Sequence, residues 1–170
     1  EEALARQAST DALTGLPNRR ETFRQLEQLT RSCGVERPPL ALAFCDLDWF
    51  KRVNDSHGHA AGDALLVAVA QRLRSALQPD DRLGRIGGDE LLVVLMGVTD
   101  LEEAQKRAEV LRGAVRDPLP YADTLLAVSA SIGVTLFKPG ESVDALVARA
   151  DAAMYQAKQA GRDRVIPITA

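Results

Sequence analysis

The chain has few of the residues by which metal-binding, disulfide-bonded and membrane proteins are usually recognised. Only two cysteines and two histidines occur among its 170 residues. Cys33 and Cys45 stand in no zinc or redox spacing, so we expect reduced thiols in a cytoplasmic setting. No apolar run approaches the length of a membrane-spanning helix and no signal peptide is visible, which predicts no membrane contact by this domain.

The chain also lacks an excess of positive charge. A net charge of −3 is too negative for a surface that coats many phosphates, so a nucleic-acid partner is not expected. A nucleotide needs only local positive charge and remains compatible with this composition. The apolar fraction of 46% and the charged fraction of 26% are those of an ordinary globular protein. A chain of 170 residues is long enough for one domain with its own core.

Hydrophobic periodicity predicts helices and strands in mixed order. We interpret residues 1–10 as the end of a linker helix and residues 11–170 as the domain; because the chain begins at Glu1 rather than Met, we expect a longer parent protein. Strands joined partly by helices and partly by a hairpin indicate a mixed sheet with helices packed on it. The predicted helices are 19–31, 63–77, 100–115 and 143–159, and the stretch 48–62 is polar and irregular. The predicted strands are 40–46, both flanks of Gly87-Gly88, one strand or a pair within 125–137, and a last short strand that starts at 165–166.

The paired glycines Gly87 and Gly88 predict a β-hairpin, because glycine takes positive φ at no steric cost. Asp89 and Glu90 follow directly and place two carboxylates at the start of a strand that is otherwise apolar. Such a pair suits a hard divalent cation such as Mg²⁺. A solvated turn is the simpler interpretation, and the turn taken alone favours it.

Further polar residues follow the predicted strand 40–46. Asp46 either delivers a metal ligand to a cleft or caps the next helical turn, and its local sequence leaves both open. The amide of Asn54 and the carboxylate of Asp63 could together complement a guanine edge. Lys51 and Arg52 could supply the positive charge that a triphosphate requires. The two histidines of this stretch lack the further ligands that a zinc site needs.

Two cations near the C-terminus, Lys158 and Arg162, are four residues apart and share a helix face if the helix continues through Gly161. They could bind phosphates. Cations at the end of a helix also suit the helix dipole, which is the simpler explanation for an isolated helix.

Taken together, these motifs resemble the GGDEF family, the bacterial diguanylate cyclase domain. The matching segments are residues 11–20, 46–63, 85–91, 131–134 and 150–162, in the family's order and spacing. The resemblance implies an α+β fold like that of nucleotidyl cyclases and polymerase palms: a central, mostly antiparallel five-stranded sheet flanked by helices, with a ferredoxin-like βαββαβ core. It also implies condensation of two GTP molecules to cyclic di-GMP and pyrophosphate in a homodimer, with a sensory domain N-terminal to this one.

The resemblance also implies the roles of individual residues. Mg²⁺ or Mn²⁺, two ions per site, would be held by Asp46, the backbone carbonyl of Leu47 and Asp89, and Asp89 or Glu90 would help to deprotonate the attacking 3′-hydroxyl. Asp63 argues for GTP rather than ATP. The other implied positions are Asn54, His59, Leu13, Leu66 and Phe50 at the base, and Lys51, Lys158 and Arg162 at the phosphates, with Lys51 also assisting catalysis.

The chain departs from the family pattern at two places. Leu91 replaces the final Phe of the signature; we interpret it as core packing, which lowers activity rather than abolishing it. Gln78 stands where many members carry the Arg of an Arg-x-x-Asp product-inhibition site, although Asp81 is retained. Since a neutral amide cannot replace a guanidinium, we expect weak or absent feedback inhibition. The alternative function is a degenerate module that binds GTP or a partner without catalysis.

Overall fold

A computed structural model describes residues 8–33 and 39–170 of the chain. The helices are α1 (Arg19–Arg31), α2 (Phe50–His57), α3 (His59–Ala76), α4 (Leu101–Arg116) and α5 (Val143–Gln159). The strands are β1 (Leu40–Asp48), β2 (Arg82–Arg85), β3 (Glu90–Met96), β4 (Leu119–Tyr121), β5 (Thr124–Leu126), β6 (Ser129–Leu136) and β7 (Arg164–Ile168). Of the predicted linker helix, residues 8 and 9 are helical and residues 1–7 lie outside the described part.

Five strands form one sheet in the order β2-β3-β1-β6-β7. The β1–β3, β1–β6 and β2–β3 pairs are antiparallel, whereas β6 and β7 are parallel. The mostly antiparallel five-stranded sheet is therefore confirmed, with β1 at its centre. The strands β4 and β5 form a separate two-stranded hairpin.

The sheet buries both of its faces, and alternate residues of β1 belong to different cores. Cys45 and Leu47 lie in a core with residues of α3 and α4, whereas Phe44 lies in a second core with residues of α1 and α5. Because side chains alternate along a strand, Asp46 is on the side of α1 and α5. The sheet thus places a carboxylate from its central strand beside the C-terminal part of α5.

Local sequence explains where three of the helices begin. The side chains of Asn18, Asp100 and Ser142 accept hydrogen bonds from backbone N–H groups in the first turns of α1, α4 and α5. In the described part of the chain, no helix is long and apolar enough to cross a bilayer.

The prediction for residues 48–62 was wrong. This stretch contains α2 and the first turn of α3, and the break between the two helices is at Gly58, whose φ is +90°. Gly62 lies within α3 and does not end it. A Cβ at Gly62 would be 1.8 Å from Oδ1 of Asn54, so this glycine permits a close contact between α2 and α3. Its role is set by tertiary packing, which local sequence does not reveal.

Candidate active site at the ends of β1 and β3

The candidate site is built where β1 ends and β3 begins. Asp46 is the cross-strand neighbour of Glu90, and the N–H of Leu47 donates to the backbone carbonyl of Asp89 at 3.1 Å. The structure therefore brings together Asp46, Leu47, Asp89 and Glu90, as the sequence analysis predicts. Asp46 lies within β1, and α2 has Trp49 at its N-cap, so the interpretation of Asp46 as a helix cap was wrong.

The carboxylates form a region of concentrated negative charge. Burial, opposed by the hydrogen bond from Lys158 and reinforced by the charge of Asp89 and Glu90, raises the pKa of Asp46 from 3.8 to about 6. Burial, together with the charges of Asp89 and Asp151, also raises the pKa of Glu90. Such a site favours a bound cation.

The lysine of α5 supplies part of the opposing charge. Nζ of Lys158 is 3.0 Å from Oδ1 of Asp46 and 3.3 Å from Oδ1 of Asp48. Helix α5 can reach this position because it lies directly on β6: a Cβ at Gly133 would be 2.2 Å from the backbone oxygen of Ala150. The glycine of the 131–134 motif therefore permits close packing of α5 on the sheet.

Asp48 is fully buried, and its local sequence predicts no separate role for it. Its carboxylate accepts hydrogen bonds from the hydroxyls of Ser129 and Ser131, both at 2.7 Å, and from the backbone N–H of Asp163 at 3.0 Å. Burial raises the pKa of Asp48, but these hydrogen bonds outweigh burial and lower it overall. The signal for this role was its spacing of two from Asp46, which places both carboxylates on one face of the strand.

Arg85 fixes the carboxylate-bearing turn. Its guanidinium donates to the carbonyls of Gly87 and Gly88, and to both carboxylate oxygens of Asp11 at 3.1 Å. Asp11 is in turn bound by the N–H and hydroxyl of Thr14. Burial raises the pKa of Asp11, but these hydrogen bonds lower it overall. Segment 11–18 thus supports the turn from outside the sheet.

The prediction that the paired glycines need positive φ was wrong, because neither Gly87 nor Gly88 has it. A Cβ at Gly87 would be 2.3 Å from Oε1 of Glu90, so this position leaves space for the glutamate. No atom lies within 4 Å of the Cβ position of Gly88. Leu91 is 0% exposed and belongs to the core on the side of α3 and α4, which confirms its interpretation as packing.

Most of the residues predicted to bind the base lie on α2 and α3, whereas Leu13 lies in the turn segment before α1. Asn54 packs on Gly62, the residue before the exposed Asp63, and His59 is exposed at the start of α3. Leu13 and Phe50 are partly buried against the core. Leu66 is 1% exposed, so it presents almost no surface to a ligand. Lys51 is exposed on α2.

Arg162 is placed differently from the prediction. Helix α5 ends at Gln159, and Gly161 and Arg162 have φ of +121° and +66°, so Lys158 and Arg162 do not share a helix face. The guanidinium of Arg162 instead lies 4.3 Å from the ring centroid of Trp49. Tertiary contact, not helix periodicity, decides its position.

The product-inhibition position has an internal structural role. The carboxylate of Asp81 is 0% exposed and is paired with Arg107 of α4. It also accepts the backbone N–H groups of Gln78 at 2.9 Å and Met96 at 2.8 Å. Asp81 therefore ties the segment before β2 to the end of β3.

Among residues 8–33 and 39–170, no group of three or more His, Cys, Asp or Glu side chains could hold a metal. The predicted ligand set differs from such a group, because it consists of only two side-chain carboxylates, those of Asp46 and Asp89, and the backbone carbonyl of Leu47. Mg²⁺ keeps several positions for water or phosphate oxygens, so a small protein ligand set is adequate.

A mostly antiparallel sheet with carboxylates at the end of its central strand has the architecture of nucleotidyl cyclases and polymerase palms. The family model described as "Diguanylate cyclase, GGDEF domain" matches residues 8–164. The chain therefore belongs to the GGDEF family.

Individual relatives agree with this assignment. The chain is 43% identical over 159 residues to diguanylate cyclase DgcP of Pseudomonas aeruginosa, covering 93% of this chain and 24% of DgcP. Diguanylate cyclase SiaD of the same species, solved with its activator SiaC, superposes with a TM-score of 0.90 at 39% identity, covering 98% of this chain and 64% of SiaD. The coiled coil and GGDEF domain of Caulobacter crescentus DgcB, solved with c-di-GMP, has a TM-score of 0.89 at 31% identity, with coverages of 98% and 89%. The chain spans about a quarter of the length of DgcP.

Proposed function

We propose that this chain is a diguanylate cyclase domain that joins two GTP molecules into cyclic di-GMP with release of pyrophosphate. The observation that carries the proposal is the meeting of Asp46, Asp89 and Glu90 beside the ammonium of Lys158. Carboxylates for a divalent cation and a cation for phosphate are the two requirements of phosphoryl transfer.

Guanine is the base that the neighbouring helices suit. Asn54 offers an amide oxygen and N–H donors, and Asp63, which follows the glycine that Asn54 contacts, offers two acceptor oxygens. The Watson–Crick edge of guanine presents N–H donors at N1 and N2 to these acceptors, whereas adenine has no donor at either position. His59 and the partly buried Leu13 and Phe50 complete the proposed surroundings of the base.

The residues at the end of β1 fit a divalent cation. Burial and the neighbouring carboxylates raise the pKa of Asp46 to about 6. A bound cation would stabilise the ionised carboxylate against both effects. We propose Mg²⁺ or Mn²⁺, two ions per site, with Asp46, the carbonyl of Leu47 and Asp89 as protein ligands. When bound, these ions would activate the 3′-hydroxyl and neutralise the triphosphate.

The chain's own residues position the reactants and move a proton. Glu90 or Asp89 accepts the proton of the 3′-hydroxyl, whose oxygen bonds to the α-phosphorus of the other GTP as the bond to pyrophosphate breaks. Lys158, with Arg162 and Lys51, offsets the phosphate charge. Each domain holds one GTP, so we propose that two copies must face each other, under the control of a sensory domain N-terminal to this one.

The alternative of a non-catalytic module had Leu91 as its only sequence support. Leu91 packs on the face of the sheet opposite to that of Asp46 and Glu90, so its replacement of Phe does not alter the set of carboxylates. The proposed absence of feedback inhibition has separate support, since Gln78 carries no charge and the carboxylate of Asp81 is buried and paired.

The test is to incubate the chain with GTP and Mg²⁺ and to detect cyclic di-GMP by mass spectrometry over a range of protein concentrations. We expect product, with a rate per chain that rises with concentration as copies associate. Glu90→Gln should lower the rate by about 100-fold or more. Glu102→Gln, at an exposed position on α4, is the matched control and should keep the rate. Binding of GTP without any product would reject the cyclase in favour of the binding module.

A further inference from the structure

Trp49 has an unusual backbone and an unusual position. It directly follows the buried Asp48, its φ is +66°, and its side chain remains 43% exposed. A bulky residue in the left-handed region is a true conformational outlier, and such strain persists mainly where the surrounding structure holds it for a function.

Two guanidinium groups lie against the indole of Trp49. The Cζ atoms of Arg52 and Arg162 are 3.8 Å and 4.3 Å from the ring centroid. Arg52 lies three residues after Trp49 in the first turn of α2, so helix geometry alone brings its side chain to the ring. Arg162 comes from the segment between α5 and β7, so only the tertiary fold explains its contact.

The segment that carries Arg162 is held in a strained form. Arg162 and Asp163 are consecutive non-glycine residues with φ of +66° and +47°. The N–H of Arg162 donates to the carbonyl of Ala157 at 2.9 Å, and the N–H of Asp163 donates to Asp48 at 3.0 Å. The carboxylate of Asp163 is paired with Arg112 of α4 at 2.7 Å. The backbone is therefore anchored, and the remaining freedom is that of the arginine side chain.

Trp49 and Arg162 meet beside this anchor. Trp49 directly follows Asp48 and Arg162 directly precedes Asp163, and the N–H of Asp163 donates to the carboxylate of Asp48. Asp48 also contacts Lys158. In the described part of the chain, the guanidinium of Arg162 takes part in no hydrogen bond or ion pair. A ring face holds a cation without occupying its N–H donors, whereas a carboxylate would occupy them.

We propose that Trp49 is a positioning residue, whose indole holds the guanidinium of Arg162 in place with its donors free for the polyphosphate of the nucleotide. This inference rests on the proposed function. The benefit is entropic, because a long side chain already held in place loses less freedom when it binds phosphate.

The test measures binding of 3′-deoxyguanosine triphosphate with Mg²⁺ by calorimetry, since a nucleotide without the 3′-hydroxyl can bind but cannot react. Trp49→Asn removes the ring at a position where Asn tolerates the left-handed backbone. We expect about three- to fivefold weaker binding, the size of one exposed cation–π contact. Trp49→Phe keeps a ring and should retain most of the affinity. Leu125→Ala, which removes an exposed side chain from the same surface groove, is the matched control.

Two measurements separate positioning from a structural role. Relief of backbone strain opposes the loss of ring contacts, so Tm should change little in Trp49→Asn while affinity falls. In an Arg162→Ala background, Trp49→Asn should weaken binding no further. Equal weakening in both backgrounds, or unchanged affinity in Trp49→Asn, overturns the inference and leaves the proposed function intact. Failure of the unaltered chain to bind the nucleotide rejects both.

The contact itself can be observed without nucleotide. Trp49 is the only tryptophan of the chain, so its fluorescence reports this site alone. Arg162→Ala removes one of the two guanidinium groups that cover the ring and should increase quenching of the fluorescence by acrylamide, whereas Lys106→Ala, on the exposed surface of α4, should not. Identical quenching in Arg162→Ala and the unaltered chain would show that the contact does not form in solution, and would overturn the inference.

Discussion

Replacing Asp46 by Asn is expected to stabilise the metal-free domain while it removes activity. Burial and the neighbouring Asp89 and Glu90 raise the pKa of Asp46 from 3.8 to about 6, even with Lys158 opposing the shift. At about 1.4 kcal/mol per pKa unit, this charge costs up to about 3 kcal/mol at neutral pH. The side chain of Asp46 is 16% exposed, so solvent screens only part of this charge. We therefore expect Asp46→Asn to raise the free energy of unfolding by about 1–3 kcal/mol.

The stabilisation should depend on pH in a definite direction. Because the folded-state pKa is raised, the folded protein holds a proton that the unfolded chain releases between pH 3.8 and about 6. The cost of the charge is therefore full above about pH 6, falls through this window and is absent below it. The advantage of Asp46→Asn should be greatest at pH 7.5 (about 2–4 °C in Tm per kcal/mol) and should disappear near pH 3.5.

The assay is thermal unfolding in EDTA at several pH values, followed by the assay for cyclic di-GMP. Lys158 keeps Asp48 as a partner, so the substitution leaves no unpaired ammonium. Asp80→Asn, at an exposed position before β2, is the control and should follow the unaltered chain. Added Mg²⁺ should raise Tm of the unaltered chain but not of Asp46→Asn. A lower Tm for Asp46→Asn at pH 7.5, or a difference that does not vary with pH, would refute this reasoning.

Three further substitutions test the supporting structure. Leu91→Phe should lower the free energy of unfolding by about 1–3 kcal/mol, because its site is fully buried, and should change turnover only modestly; a change from no activity to full activity would contradict this. Arg85→Lys cannot bind the two turn carbonyls and Asp11 together, so we expect about 2 kcal/mol lower stability and reduced kcat, and an unchanged kcat would show that the turn holds without it. Asp81→Asn should destabilise the chain by about 3 kcal/mol in urea unfolding, because Arg107 loses its buried partner. Tight product binding that depends on Asp81 would contradict the expected lack of feedback inhibition.

Much of the fold could be predicted because its patterns are local. Helix α1 and helix α5 have the bounds that periodicity predicts, since their apolar stripes and end signals lie within the segments themselves. The two helices in 48–62 could not be predicted in this way. They are short or begin with small residues, and Gly62 lies inside α3, where it permits a close contact with Asn54 that local sequence does not reveal.

The same distinction between local patterns and tertiary contacts applies to the candidate site. The carboxylates at Asp46 and Asp89 were identifiable from sequence, because each stands beside an apolar strand. The function of Gly87 was not, because it depends on where the side chain of Glu90 folds. The buried role of Asp48 had only its spacing of two from Asp46 as a local signal, since its partners Ser129 and Asp163 are about 80 and 115 residues away.

The sequence by itself determined the family of this chain, the strands of the main sheet and most of the helices, and the types of side chain available for chemistry. These follow from residue order and from periodicity, which act over a few residues. Only the tertiary structure decided that Lys158 contacts Asp46 and that Arg162 lies on Trp49 rather than on a helix face. Those contacts join distant segments through strained turns and close packing on glycine, and no local pattern specifies them.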